Sequence, residues 1–339
     1  MVMTRGIARF SPTCKTHGML VANPDTTVTG SSTLHQESDP VPGDRQVVID
    51  VAGAGVNRAD LLQVAGRYPP PPGAPSWPGL EVSGLVSEVG PGSRWQVGDR
   101  VVALLEGGGY ATRALAADAQ VLPAPPGVSL VDAAALPEAA CTVWSTLGAA
   151  RLTAGEWLLV HGGSGGIGTT AIQVAVAMGA HVITTAGGPE RAARCAALGA
   201  EVAVDHRAGD VTEQVRRVAP DGVDVVLDVL GAGSLAANLA ALADGGRLAV
   251  IGLQQGSHAE LDLGLLLAKR LTVLGTTLRS RPPAQKARIV AGVAEHVWPM
   301  VADGRVRPVV HDRVPLAQAA DAHRRLASGE VFGNLVLVP

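Results

Sequence analysis

The sequence predicts an α/β fold: a doubly wound, six-stranded parallel sheet joined to a second, mostly-β domain. Three observations predict it. From residue 156 onward, short apolar runs alternate with helical stretches, the pattern of parallel strands linked by crossover helices. Before residue 132 the chain breaks into short strands between Gly and Pro turns, the pattern of a small β-barrel. Between the two regimes lies HGGSGGIG at 161–168, a Gly-rich turn placed after an apolar strand and before a helix.

The elements follow in order. Residues 1–18 read as a loose tail, and one short strand is expected before residue 40. Residues 47–51, 82–89, 100–105 and 111–115 read as strands, and 58–62 as a short helix. The run Tyr68-Pro69-Pro70-Pro71-Pro72-Gly73 lacks backbone donors and has fixed φ, so it forms a stiff exposed loop. An Ala-rich helix spans 133–147. The parallel strands are placed at 157–161, 181–185, 201–205, 223–229, 247–252 and 271–277. Helices lie around 168–178, 189–198, 209–218, 233–243 and 261–269. A long helix from about 284 to 302 follows, and 334–338 reads as a strand that returns the C-terminus to the first domain. The expected division is 19–135 with 280–339 for the mostly-β domain and 136–279 for the parallel sheet.

Composition bounds the function. The chain has 339 residues, 47% apolar and 17% charged, so it forms cores and has room for about two domains. The net charge of −3 and the lack of a Lys/Arg-rich run argue against a nucleic-acid surface. No apolar run reaches the ~18 residues that span a bilayer, and the N-terminus lacks the apolar core of a secretory signal. Three scattered cysteines make neither a disulfide framework nor a metal knuckle, and the nine histidines show no metal spacing. Cys141 and Cys195 read as small buried hydrophobes. A soluble cytoplasmic protein is expected, with no metal, nucleic-acid or membrane partner.

The glycine turn carries the first chemistry. Gly163, Gly165 and Gly168 match G-x-G-x-x-G, in which one glycine makes a tight turn, one admits a pyrophosphate and one lets helix and strand pack closely. Gly166 and Ile167 open the helix, whose free N–H groups and dipole favour phosphate. A site for NAD places an acid at the end of the second strand, but here that strand ends in Ala186-Gly187-Gly188, with Arg191 just beyond. A missing carboxylate and a nearby Arg favour a 2′-phosphate, hence NADP(H). His206-Arg207, after the third strand, can stack on or pair with the same end. Leu230-Gly231 and Gly252-Leu253 close the fourth and fifth strands at the carboxyl edge, where nucleotides lie in such sheets.

The stretch GVNRADLLQVAGRYPPPPGAPSWPGLEVSGLV, the HGGSGGIG turn, TLRSR at 277–281 and the ending GNLVLVP together resemble the zinc-independent quinone oxidoreductases of the medium-chain dehydrogenase/reductase superfamily. The resemblance covers residues 45–339 and is closer to the tumour-suppressor-inducible branch than to the zeta-crystallin branch. It implies a GroES-like catalytic domain built from both chain ends, a Rossmann domain between, and an active site in the cleft. It implies that Tyr68 and Ser164 lie at the reacting end of the cofactor, with Asn57 near the nicotinamide ribose or substrate carbonyl. Thr142 matches a cofactor-contacting Thr, and Leu278 and Arg279 belong to a loop that closes over the nicotinamide. Two positions depart from the family. Asn334 stands where relatives often carry Lys or Arg facing the phosphates, and Gly188 where a 2′-phosphate-binding Ser is expected.

Zinc-dependent members of the superfamily carry Cys where Asn57 stands and His where Leu80 stands, and have a four-Cys lobe this chain lacks. Asn is a poor zinc ligand and Leu is none. Without a Lewis acid, alkoxide formation is unsupported, and reduction of a quinone or similar conjugated carbonyl remains. That chemistry requires no strong general acid, and none is expected in the cleft beyond Tyr68. Two alternatives stay open: an enoyl-thioester reductase with Tyr68 as proton donor, and a non-catalytic NADPH-binding sensor or structural protein. The resemblance further implies a homodimer, with the edge strand 271–277 as the pairing element.

Overall fold

The computed structural model describes residues 18–24 and 32–339, so the predicted tail lies almost wholly outside the described residues. The parallel sheet holds six strands: Trp157–Val160, His181–Ala186, Val202–Asp205, Val223–Asp228, Leu242–Val250 and Thr272–Gly275. Their spatial order is third, second, first, fourth, fifth, sixth, and every pairing is parallel. Strands covered on both faces need apolar residues at consecutive positions. Leu158, Leu159 and Val160, and again Val225, Val226 and Leu227, meet that need and are all buried. The order reverses between the first and fourth strands, so a crevice opens beyond their carboxyl ends. The glycine turn leaves the first strand at that point.

Several elements differ from expectation. The fifth strand begins at Leu242 instead of 247; Leu242 pairs with Val223 and Arg247 with Val225, so a bulge absorbs the extra residues. The helix expected over 261–269 shortens to Leu263–Ala268. Before residue 40 there are two strands rather than one, Met19–Pro24 and Ser32–Glu37, paired antiparallel.

The second sheet draws on both chain ends. Its order is Val310–Pro315, Asn334–Val338, Gln46–Val56, Glu81–Val89, Arg100–Leu104, Val121–Pro123, and Arg113–Ala117 also pairs with Gln46–Val56. The last strand runs antiparallel to Gln46–Val56, with Leu335 opposite Val56, so the C-terminus does return to the first sheet. Register shifts at Val48/Ile49 and Val51/Gly53 mark bulges in the long central strand, and bulges bend a sheet. The long helix is present as Pro283–Gly292 and Trp298–Ala302, joined by a π-turn over Val293–Val297 that a 3.6-residue period does not reveal.

Two connections hold the sheets in register. The helix Pro137–Ala149 leaves the mostly-β domain and packs on Gly166–Ala177, the helix that follows the glycine turn. The N–H of Gly333 donates to the carbonyl of Ser164 at 2.8 Å, in a parallel bridge between Gly165 and Gly333.

Candidate active site

The glycines of the turn have separable roles. The left-handed φ, +70°, falls on Gly162, the residue before the first glycine of the motif. A Cβ on Gly163 would overlap the hydroxyl of Thr184 and lie 3.0 Å from its Cβ. One on Gly168 would overlap the carbonyl of Gly162 and lie 2.5 Å from Gly163 Cα. One on Gly166 would run into the Asn334 amide, 2.7 Å from its Cγ. Gly165 is different. Its φ of −83° suits any residue, and the nearest atom to an added Cβ is Gly162 O at 3.6 Å. The chain itself gives Gly165 no steric reason to lack a side chain, and its face is open. The helix starting at Gly166 has no side-chain cap, so its first N–H groups are left for an anion. Ile167 packs on the core and Gly168 is buried.

A buried polar network beneath the turn escaped sequence reasoning. His161 contacts Asn238 Oδ1 at 2.6 Å and Thr185 Oγ1 at 3.3 Å, while Gly162 N donates to Thr185 Oγ1. Asn238 Nδ2 donates to Ser234 Oγ, and Ser234 Oγ donates to Asp228. The Asp228 carboxylate also accepts from Leu230 N and Gly231 N, both at 2.9 Å. Burial holds His161 below its ordinary pKa, hence neutral. The network ties together the carboxyl ends of the first, second and fourth strands. Its signal in the sequence is a polar residue closing an apolar run, once at His161 and once at Asp228. Gly231, at φ +82°, lies close to Leu253 Cα (3.0 Å from an added Cβ), and Gly252 packs on Val229. Leu230, Gly231, Gly252 and the exposed Leu253 thus share one edge of the crevice.

At the second strand's end, Gly188 has φ +96° and its N–H donates to Asp205 Oδ1 at 2.8 Å; Arg207 N donates to the same oxygen. These bonds hold the Asp205 carboxyl below the usual range. Side chains of His206 and Arg207 each lie 3.2 Å from where a Gly187 Cβ would stand. Arg191 is half-buried on the helix Pro189–Ala196. His206 and Arg207 come to the strand end from the neighbouring third strand, and with them Asp205, which sequence reasoning missed.

On the mostly-β side, Asn57 precedes the helix Arg58–Val64, and its N–H donates to Asp60 Oδ2 at 2.8 Å. Its side-chain Nδ2 donates to Glu81 Oε1 at 2.7 Å. Glu81 Oε2 accepts from Glu138 N at 2.9 Å, and Thr142 Oγ1 donates a long 3.5 Å bond to Glu138 Oε1. Asp60 Oδ1 accepts from Gly79 N. Leu80 is buried. Burial pushes Asp60 up to about 6 and both Glu81 and Glu138 up to about 8; the Asp60 charge adds to the rise at both glutamates, and Glu81 adds to it at Glu138. Sequence reasoning missed all three acids; Asp60 and Glu81 were visible as isolated carboxylates in apolar surroundings.

Tyr68 is half-buried, and burial together with the Glu138 charge raises its phenol pKa. The guanidinium of Arg279 sits 5.3 Å from the Tyr68 ring centroid. It donates to Glu106 O at 2.7 Å, Tyr68 O at 3.3 Å and Gln63 Oε1 at 2.7 Å, and it is buried. Its donors are thus spent on the protein's own loops, and Lys286 braces it through Glu106 and Arg279 O. Leu278 is buried in the core against the parallel sheet. Asn334 is buried beside Gly166, and Ser164 is half-buried. Among the described residues no hydrogen bond joins Tyr68 or Asn57 to Ser164. The two sides are connected through Gly333 and through the helix carrying Glu138 and Thr142. Cys141 and Cys195 are buried free thiols. Among the described residues, no three His, Cys, Asp or Glu side chains are grouped to hold a metal ion.

Residues 43–126 match the family model described as alcohol dehydrogenase GroES-like domain, and 166–292 that described as zinc-binding dehydrogenase. The rat quinone oxidoreductase is 34% identical over 321 residues, covering 91% of this chain and 94% of that protein. The chain belongs to the medium-chain dehydrogenase/reductase superfamily. Within the superfamily, the solved quinone oxidoreductase of Escherichia coli, complexed with NADPH, superposes with a TM-score of 0.82 at 26% identity, covering 95% of this chain and all of that one. A mycocerosic acid synthase-like polyketide synthase of Mycobacterium tuberculosis is 34% identical over 300 residues, 87% of this chain but 14% of the synthase.

Proposed function

We propose that this superfamily member is an NADPH-dependent quinone oxidoreductase that works without zinc. The observation that carries the reading is the pairing of an empty-faced Gly165 with a reacting end built around Asn57, locked by Glu81, and the buried Leu80. An amide and an isobutyl group supply no zinc-ligand pair, so the site offers no Lewis acid for alcohol oxidation. The residues fit a dinucleotide: the glycine turn and helix start take the pyrophosphate, and Leu230, Gly231, Gly252 and Leu253 border it. Arg207, His206 and Arg191 stand at the 2′-phosphate end, where Asp205 is already bonded to backbone. Bound NADPH supplies the hydride. Tyr68, Asn57 and Ser164 position a flat acceptor against it, and much of the acceleration comes from proximity and orientation. Thr142, bonded to Glu138, stands at the same approach, while Leu278 anchors its loop in the core. A conjugated acceptor suits this site because its reduced oxygen is stabilised by its own ring.

We further place the homodimer contact at the parallel sheet's free edge. Thr272–Gly275 has one neighbour, and the helix Leu263–Ala268 beside it buries none of its side chains, leaving Leu263 61% and Leu267 76% exposed. No helix of the described residues is long and apolar enough to cross a membrane. Free buried thiols suit a reducing, cytoplasmic setting. The division at residues 135/136 and 279/280 is proposed with the same function.

The likeness to part of a polyketide synthase favours a second reading, an NADPH-dependent enoyl-thioester reductase. NADPH oxidation measured with ortho- and para-quinones and with crotonyl-CoA separates the two. Quinone-dependent turnover supports the first reading. Crotonyl-CoA turnover lost in Tyr68→Phe supports the second.

A further inference from the structure

We propose that Glu138 is the general acid of this site, delivering a proton to the reduced acceptor's oxygen. The inference rests on the quinone-reductase reading and adds a residue to it. Three carboxyl groups meet at the reacting end, and their hydrogen bonds divide the labour. Asp60 accepts on both oxygens, from Asn57 N at 2.8 Å and Gly79 N at 2.9 Å, donors that suit a carboxylate. Glu81 accepts on both oxygens, from Asn57 Nδ2 at 2.7 Å and Glu138 N at 2.9 Å. Glu138 has only the 3.5 Å contact with Thr142, and it alone of the three is not fully buried. It is the carboxyl group with a hydrogen to give and an open side on which to give it.

The surroundings hold that proton in place. Glu138 is faced by Asp60 and Glu81 from the mostly-β domain, by Tyr68 and the Arg279 guanidinium from the loops, and by the neutral thiol of Cys141 on its own helix. One buried cation against three carboxyl groups leaves the cluster short of positive charge, so protons make up the difference. Burial and the two neighbouring carboxylates raise Glu138, and Arg279 opposes them only in part. A carboxylic acid that titrates near the working pH is a better proton donor than the Tyr68 phenol, whose pKa lies higher still.

The step balances. Addition of hydride to the quinone leaves a hydroquinone anion. The O–H bond of Glu138 breaks, the proton bonds to the anionic oxygen, and the carboxylate takes a proton from water. The sum is NADPH plus quinone plus one proton giving NADP⁺ plus hydroquinone.

The test has two arms on the full-length protein. In the first, infrared difference spectroscopy of cofactor-free protein compares wild type with Glu138→Gln. Glu81, also pushed up to about 8, contributes a protonated-carboxyl band to both proteins, so the wild-type-minus-variant difference should hold one further band that is present at pH 7 and bleaches as pH rises through about 8. In the second, kcat is followed against pH for both proteins and for Tyr68→Phe, with NADPH affinity as the control. Wild-type kcat should fall above about pH 8 and show a solvent deuterium effect. Glu138→Gln should lose about 10²- to 10⁴-fold in kcat with NADPH affinity kept, and Tyr68→Phe should keep the pH profile. An active wild type matched by Glu138→Gln in rate and pH profile overturns the proposal alone. A wild type inactive on every quinone overturns the quinone reading and the proposal with it. Should Glu138→Gln not fold, the wild type decides: the absence of any protonated-carboxyl band at pH 7, or a kcat that stays flat as pH rises through about 8, overturns the proposal.

Discussion

Gly165→Ala separates a glycine kept for the fold from one kept for a ligand. In the structure the added methyl has room, with Gly162 O at 3.6 Å and φ at −83°. Ala caps a helix less well than Gly, but it also lowers the entropy of the unfolded chain, and the two effects offset to within about 1 kcal/mol. The folded protein should therefore be nearly as stable as wild type. With NADPH bound, the same methyl points where the pyrophosphate must pack. Overpacking of that kind costs about 1–3 kcal/mol, which at 1.4 kcal/mol per tenfold is a Kd about 5- to 150-fold weaker. Gly168→Ala is the contrasting control. Its methyl meets Gly162 O and lies 2.5 Å from Gly163 Cα, both backbone atoms that cannot yield cheaply. It should lower the melting temperature clearly. Fluorescence titration with NADPH and thermal unfolding of both variants are the assays. A stable Gly165→Ala protein that binds NADPH as tightly as wild type would refute the assignment of the pyrophosphate to this turn.

Three further predictions follow from the geometry. Arg207→Ala should weaken NADPH by about 10- to 100-fold while sparing NADH, since a charge-assisted bond is worth about 1.5–3 kcal/mol; initial rates with both cofactors measure it, and equal losses would point to Arg191 or His206 as the discriminating group. Arg279→Met should lower stability and raise KM for the acceptor more than it lowers kcat, because the lost bonds to Glu106 O, Tyr68 O and Gln63 fix the Tyr68 loop; thermal unfolding and steady-state kinetics read both effects, and an unchanged KM would contradict the positioning role. Stability should fall as pH rises. Glu138 has an ordinary value of 4.5 and a folded value of about 8, so between them the folded state keeps a proton that the unfolded chain has released. Denaturant melts from pH 5 to pH 9 should show this decline, shallower in Glu138→Gln.

Much of the parallel sheet was legible because burial on two faces demands apolar residues in succession, and 158–160 and 225–227 have little freedom to be anything else. The glycine turn was legible for a related reason: packing against Thr184 and Gly162 excludes a side chain at Gly163 and Gly168. What stayed hidden is what the strand order brings together. Asp205 reaches Gly188 only because the third strand lies beside the second, and nothing in the sequence marks it apart from the His206-Arg207 pair that follows it. Glu81 and Glu138 are 57 residues apart and meet through one N–H, and Arg279 meets Gln63 across 216 residues. No periodicity carries such pairings. The left-handed φ on Gly162 depends on turn geometry that the G-x-G-x-x-G spacing does not specify.

The central claim is tested most directly by purified full-length protein mixed with NADPH and a panel of ortho- and para-quinones, with crotonyl-CoA alongside, and NADPH oxidation followed by its absorbance. Quinone-dependent oxidation well above the no-enzyme rate, unaffected by zinc chelators and greater with NADPH than with NADH, is the predicted result. NADPH binding without oxidation by any quinone, or oxidation driven by crotonyl-CoA alone, would contradict it.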